Sequence, residues 1–295
     1  MRDPQNSARA GSASGARPIL IVGLDGVRWD RVEASDSASF LRTLATDGQF
    51  VKITMEVPTI SAPGWGSLLT GALHAEHGVV DNSMVGSNLW RYPDVLSLAF
   101  FRDVTTRTFA SAGWPVLVDP QGLGPIIHPR VDQQKAGLHR VIARDGETNG
   151  YPAVDAECVD YAHAALRGAG FDVGFVYCCD VDDAGHVYGA LSDEYSAAIA
   201  RVNEHVKRLA EDLQFRFEKF EEDWLLCITT DHGHVDEGGH GGDSELERAS
   251  WAITWAPSGN VPKWAPHIDP TDLTPLLLDA RYAGDVNNLR DSVEN

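Results

Sequence analysis

Three short apolar runs in this chain end on aspartate: PILIVGLD at 18–25, FDVGFVYCCD at 171–180 and WLLCITTD at 224–231. Each is short for a buried helix and lacks polar–apolar alternation, so each reads as a strand covered on both faces. Strands of that kind belong to a parallel sheet with helices on either side. The segments 37–46, 152–166, 193–213 and 272–280 carry helical patterns, and a helix starts near 63–69. The segments 50–57, part of 106–118 and 250–256 read as further strands. The expected fold class is α/β, a mostly parallel central sheet with helices on both faces.

Residues 1–17 are rich in Ser, Ala, Gly and Arg with no apolar period, and a disordered leader is expected there, followed by one catalytic domain over 18–295. Within it, 86–150 is the candidate for a small loop-rich cap, because Pro120, Gly122, Gly124, Pro125 and Pro129 punctuate it. No run approaches the ~20 apolar residues of a spanning helix, and no export signal is read, so a cytoplasmic setting is expected. Hydrophobic residues at 43% permit a large core. The 24 Lys and Arg against 43 Asp and Glu leave a formal charge of −19. That excess excludes duplex nucleic acid and anionic membrane surfaces as partners, since both demand a basic face. Four cysteines form no disulfide framework, and buried reduced thiols are expected, with Cys178 and Cys179 facing opposite sides of a strand.

Ligands of such sheets bind beyond the carboxyl ends of the strands. Those ends carry Asp25, then Ser61 after the second strand, then Asp180, Asp182, Asp183 and His186, then Asp231, His232 and His234, with His240 in a glycine run. Carboxylate and imidazole are the ligand set of zinc and related ions. The donors exceed what one tetrahedral ion needs, so two divalent ions are expected, zinc first, with manganese or iron also fitting. Asp182 and His186 are four apart, but Gly185 suggests a loop. His234 and His267 are alternatives to His240, which its flanking glycines favour. Ser61 precedes Pro63, a residue favoured in a first helical turn, so its hydroxyl sits where backbone N–H groups attract phosphate. Trp65 and Trp90 are expected in the core rather than stacked on a base, and His74 and His77 in structural roles.

Four blocks, IVGLDGV, PTISAPGWGSLLTGALHAEHGV, DVDDAGHVYG and TTDHGHVDEGGHGG, together resemble the alkaline phosphatase superfamily and, within it, the nucleotide pyrophosphatase/type I phosphodiesterase branch. The resemblance implies one metal held by Asp25, Asp231 and His232, a second held by Asp182, His186 and His240, and Ser61 as the nucleophile that also meets a metal. It implies a two-metal hydrolase of small phosphodiesters or nucleotide pyrophosphates with a phosphoseryl intermediate. A phosphomonoesterase is the alternative. A sulfatase fits less well, because Trp65 stands where the sulfatase motif carries Arg, and a metal-holding protein without turnover would not need Ser61. The resemblance also leads us to expect an Asn three residues beyond the nucleophile, and Gly64 stands there. A phosphate-oxygen donor must then come from backbone N–H groups, the metals or another side chain. Arg91, Arg107, His128, Arg130 and Lys135 are candidates to meet an anionic substrate, with solvation their alternative. The oligomeric state is not read from the sequence.

Overall fold

The computed structural model describes residues 15–291. Eight strands form one sheet: β1 (Ile19–Leu24), β2 (Gln49–Thr54), β3 (Thr108–Ala112), β4 (His139–Ala143), β5 (Val173–Cys178), β6 (Leu225–Thr229), β7 (Ala249–Trp255) and β8 (His267–Ile268). Their order is β4-β3-β5-β1-β6-β7-β2-β8. Every pairing is parallel except those of β7, which runs against both β6 and β2. The fold class read from the sequence is the one observed.

The pleat divides the core in two. Ile19 and Ile21 of β1 point into one apolar layer, with Trp65 and Leu68 of the Ser61–Thr70 helix and Leu273 and Leu277 of the Leu273–Asp291 helix. Leu20, Val22 and Leu24 point into the other, against Ile199, Val202 and Val206 of the 28-residue Asp193–Phe220 helix. Cys178 and Cys179 fall into opposite layers as the strand period requires, and the four cysteines are buried free thiols.

The sheet order determines where the chemistry can gather. β1 lies between β5 and β6, so the aspartates that follow these three strands emerge side by side at one edge. The chain leaves β1 for the far side of the sheet at β2 and returns to β3 on the other, which opens a crevice at that edge.

Two expectations are corrected. The segment 86–150 is not a separate cap: it supplies β3 and β4 to the sheet edge, and its loops reach one wall of the crevice. β4 is a half-exposed edge strand, so it lacks the continuous apolar run that marks a buried one. The expected leader lies outside the described residues up to position 14. Ala16 and Arg17 belong to the fold, with Ala16 buried and Arg17 paired to Asp223 at 2.7 Å. Among the described residues no helix is long and apolar enough to cross a membrane.

The same edge carries a pH-sensitive group. His139 of β4 is 3% exposed. Its Nε2–H donates to the His128 carbonyl at 3.1 Å, while Nδ1 accepts from Thr108 Oγ1 at 2.8 Å and faces the Arg130 guanidinium at 2.9 Å. Burial, and then the Arg130 charge, push its pKa down to about 4 from an ordinary 6.5, against a weaker opposing pull from Asp94. Between those values the unfolded chain binds the proton and the folded one does not. The contribution is therefore complete above pH 6.5 and is lost as pH falls towards 4. It amounts to about 3 kcal/mol at most for a shift of this size. His139→Gln should give a shallower fall in urea midpoint between pH 7 and 4.5 than the wild type; equal falls would remove His139 as the source.

Candidate active site and metal centre

Asp25 follows β1 and is fully buried, its N–H donating to the Cys178 carbonyl at 2.9 Å. Its Oδ2 accepts from Tyr177 Oη at 2.6 Å and from Trp65 Nε1 at 2.8 Å. Trp65 is thus a core residue, as expected, and also fixes one oxygen of Asp25 so that the other points forward. Asp25 Oδ1 lies 3.3 Å from His232 Nε2 and 3.5 Å from Ser61 Oγ. Asp231 and His232 follow β6. Asp231 Oδ2 is 3.3 Å from the same His232 Nε2 and has no hydrogen-bond partner, although it is buried.

Across the crevice, Asp182 and His186 lie on a helix, Asp180–Tyr188, where the sequence suggested a loop. Three acidic residues favour its first turn. Asp155, from the neighbouring Tyr151–Arg167 helix, accepts from the N–H groups of Cys179 and Asp180 at 2.8 Å each. Gly185 is tolerated because a Cβ there would lie 2.7 Å from the His234 ring. The helix brings His186 Nε2 within 3.5 Å of Asp182 Oδ2. His240 arrives from the glycine-rich loop, its Nε2 at 2.9 Å from His186 Nε2 and 3.5 Å from Asp182 Oδ1.

Hydrogen-bond partners assign the tautomers of three histidines. His232 Nδ1 faces the Gly233 carbonyl at 3.1 Å and His240 Nδ1 the Thr59 carbonyl at 2.7 Å, so each Nδ1 carries hydrogen and each Nε2 presents a lone pair. His234 has the opposite tautomer. Its Nδ1 accepts from the Gly239 N–H at 3.1 Å, so its Nε2–H donates to Asp182 Oδ1 at 2.9 Å. His234 therefore orients Asp182 and has no lone pair to offer, which decides between it and His240. His267 is removed from the site, bonded to Thr54 at the far side of the sheet.

Among the described residues, three donor groups have ligand atoms within 4.8 Å of one another: Asp25–Asp231–His232, Asp182–His186–His240 and Asp182–His232–His234, the last including a His234 Nε2 that carries hydrogen towards Asp182. The first two of these groups contain the residues that the resemblance assigns to each ion. Burial, and then the charge of Asp182, push the Asp25 carboxyl up to about 8, despite bonds from Tyr177 and Trp65. Burial, and then Asp25, raise Asp231 as well, and burial followed by His240 holds His232 neutral. Burial opposes ionisation of Asp182 too, but the His234 hydrogen bond and the neighbouring histidines outweigh it and hold this carboxyl below the usual range. Three buried carboxylates and two imidazole lone pairs thus converge with no Lys or Arg among the described cleft-lining residues. Protein alone leaves such a cluster unbalanced; divalent cations balance it, and the mixed O/N donor set suits them.

Ser61 begins the Ser61–Thr70 helix, with Ile60 as its cap, and is 5% exposed. Its Oγ is 3.1 Å from His232 Nε2, at the rim of the first trio. The cleft beyond it measures about 350 Å³. Gly64 carries no side-chain donor, and a Cβ there would lie 3.1 Å from the Asp231 carbonyl, a tight contact that the backbone would have to yield to by a few tenths of an ångström. Asn82 lines the cleft together with Ser61 and accepts the Ala62 N–H on Oδ1 at 3.0 Å. That bond directs its NH₂ away from the helix. Sequence reading missed Asn82, because it sits in a loop with no periodic or motif signal. His74 and His77 are buried against the Ser61–Thr70 helix; Trp90, expected in the core, is instead exposed, and none of Arg91, Arg107, His128, Arg130 and Lys135 lines the cleft.

The family model of type I phosphodiesterase/nucleotide pyrophosphatase matches residues 19–287. The chain belongs to this family. Among curated proteins, GPI ethanolamine phosphate transferase 3, catalytic subunit, of Mus musculus is 26% identical over 234 residues, 78% of this chain and 19% of that protein. GPI ethanolamine phosphate transferase 1 of Yarrowia lipolytica is 26% identical over 271 residues, 83% of this chain and 27% of that protein. The chain therefore spans about a fifth to a quarter of the length of these relatives. Among solved structures, murine ectonucleotide pyrophosphatase/phosphodiesterase 5 in complex with AMP superposes with a TM-score of 0.64 at 16% identity, covering 90% of this chain and 94% of that one. A putative sulfatase of Bacteroides fragilis gives 0.61 at 16% identity, covering 92% and 75%. At these identities the superpositions speak for the shared fold.

Proposed function

We propose that the chain is a two-metal phosphodiesterase that uses Ser61 as nucleophile. The observation that carries this reading is the position of Ser61 Oγ, held at the rim of one ligand trio whose His232 ring stacks at 3.7 Å on His240 of the other. Two bound divalent ions, zinc by preference, would supply Lewis acidity that activates the hydroxyl and the water and stabilises charge on phosphoryl oxygens. Asp25, Asp231 and His232 would hold one ion, and Asp182, His186 and His240 the other. Ser61 Oγ gives up its proton and forms a bond to phosphorus while the P–O bond to the leaving alcohol breaks and that alcohol takes up a proton, giving a seryl phosphodiester that keeps the second ester group. Asn82 donates to a non-bridging oxygen, and the helix dipole behind Ser61 favours the anionic group. Water then cleaves the Oγ–P bond and restores Ser61.

A second reading, transfer in place of hydrolysis, is favoured by the curated relatives, which are named as transferases. It uses the same seryl phosphodiester with an alcohol in place of water. Four chromogenic probes test the proposal on metal-loaded protein: bis(4-nitrophenyl) phosphate, 4-nitrophenyl phosphate, a nucleotide 4-nitrophenyl ester and 4-nitrophenyl sulfate. The expected order places the diesters first. Fastest cleavage of the monoester would replace the diesterase with a phosphomonoesterase. A product partition that shifts on adding ethanol, with ethyl 4-nitrophenyl phosphate formed from the bis ester, would favour transfer.

A further inference from the structure

A second cavity, of about 500 Å³, opens at the β8 end of the sheet and shares no lining residue with the metal cleft. Its floor is aromatic. Trp251 of β7 stands opposite Lys52 of β2, and the pleat puts Phe50 on the same face. The Trp251 ring is fully buried and is fixed by its Nε1–H, which donates to the Val27 carbonyl at 2.8 Å. Trp29 packs against both rings, its centroid 4.6 Å from Phe50 and 5.3 Å from Trp251. Four charged side chains line the same cavity, Lys52 and Arg248 with Asp243 and Glu245. None of the four forms an ion pair among the described residues. Arg248 uses Nε on the Met55 carbonyl at 2.8 Å, and its two NH₂ groups have no hydrogen-bond partner among the described residues.

We propose that this cavity is a second ligand site, separate from the metal cleft, that holds an aromatic zwitterion of the α-amino-acid type. The ring lies on the Trp29–Phe50 face, where flat rings pack in offset or edge-on contact. The carboxylate meets Lys52 and the NH₂ groups of Arg248, and the ammonium meets Asp243 and Glu245. The volume suits such a molecule, since small-ligand sites run from about 300 to 1,000 Å³. The lining charges decide the class. An aromatic anion alone would face two carboxylates, and an aromatic amine alone would face a Lys and an Arg; like charges brought together weaken binding. A molecule that carries both signs beside a ring satisfies all four side chains at once.

The test is a ligand-observed NMR titration of the metal-loaded protein with L-phenylalanine and three analogues. 3-Phenylpropionate lacks the ammonium, phenethylamine lacks the carboxylate, and L-alanine lacks the ring. L-Phenylalanine should bind at least about tenfold tighter than each of them. Lys52→Gln should lower its preference over phenethylamine by at least about threefold, and Glu245→Gln its preference over 3-phenylpropionate by as much. Both side chains are exposed, and a ratio is internal to each preparation, so a difference in folded fraction does not enter it. No saturable binding of L-phenylalanine overturns the inference, as does binding of any analogue as tight as that of the amino acid. A ratio unmoved by its variant also overturns it, because an amino acid held at the metal cleft would not sense Lys52 or Glu245.

Discussion

Ser61→Ala should lower kcat on a phosphodiester by at least about 10³-fold while leaving the metal content of the protein unchanged. The size of the effect follows from what is removed. The hydroxyl is the proposed nucleophile, 3.1 Å from His232 Nε2 and 3.5 Å from Asp25 Oδ1. The two trios themselves contain no atom of its side chain that the fold depends on. Ile60, not Ser61, caps the helix, and Ala is favoured at a helical position, so the variant should fold as the wild type does. Ser61→Thr keeps a hydroxyl and should retain part of the activity, which separates lost chemistry from lost shape. Metal analysis and steady-state kinetics on the three proteins check this. Turnover of the Ala variant within about tenfold of wild type would remove Ser61 as nucleophile.

What made Ser61 legible is instructive about the rest. A nucleophile followed by Pro63 at a helix start, and aspartates that close apolar runs, are local signals, because strand and helix ends are where backbone geometry and side-chain chemistry meet in the sequence. The central strands announced themselves because burial on both faces demands continuous apolar residues. β4 and β8 are edge strands, half-exposed or two residues long, and carry no such demand. The helix through Asp182 and Gly185 was hidden because its support comes from elsewhere in the chain: Asp155 caps it and the His234 ring fills the space beside the glycine. Asn82 was hidden for the same reason, as its position depends on how a loop folds back over the sheet edge. The glycines beside His240 already favoured it over His234 in the sequence, but the ring-nitrogen partners that turn His234 towards Asp182 as a donor lay outside it.

Asp231→Asn should abolish activity and yet make the metal-free protein more stable. Asp231 is 1% exposed, its Oδ2 has no hydrogen-bond partner, and Asp25 and Asp182 crowd the same space. Without a cation, folding must desolvate this carboxyl beside two others; an amide of the same shape avoids that cost and still offers Oδ1 to the Gly26 N–H, now 3.4 Å away. A gain of about 1–3 kcal/mol is expected, which for a chain of this size is a rise of roughly 2–10 °C in Tm. The sign with pH follows from the direction of the shift. Burial, and then Asp25, raise the folded pKa above the unfolded 3.8, so the wild-type stability is complete below 3.8 and falls as pH rises through the folded value. The difference between variant and wild type should therefore widen as pH rises above 3.8. With zinc or manganese added the order reverses, because an ion bound only by the folded wild type adds RT ln(1 + [M]/Kd), and the variant has lost a ligand. Thermal melts of both proteins, with chelator and with metal, at pH 5 and pH 8, read the whole pattern. A metal-free Asn variant that melts below the wild type at pH 8 would mean that Asp231 serves the fold rather than a cation.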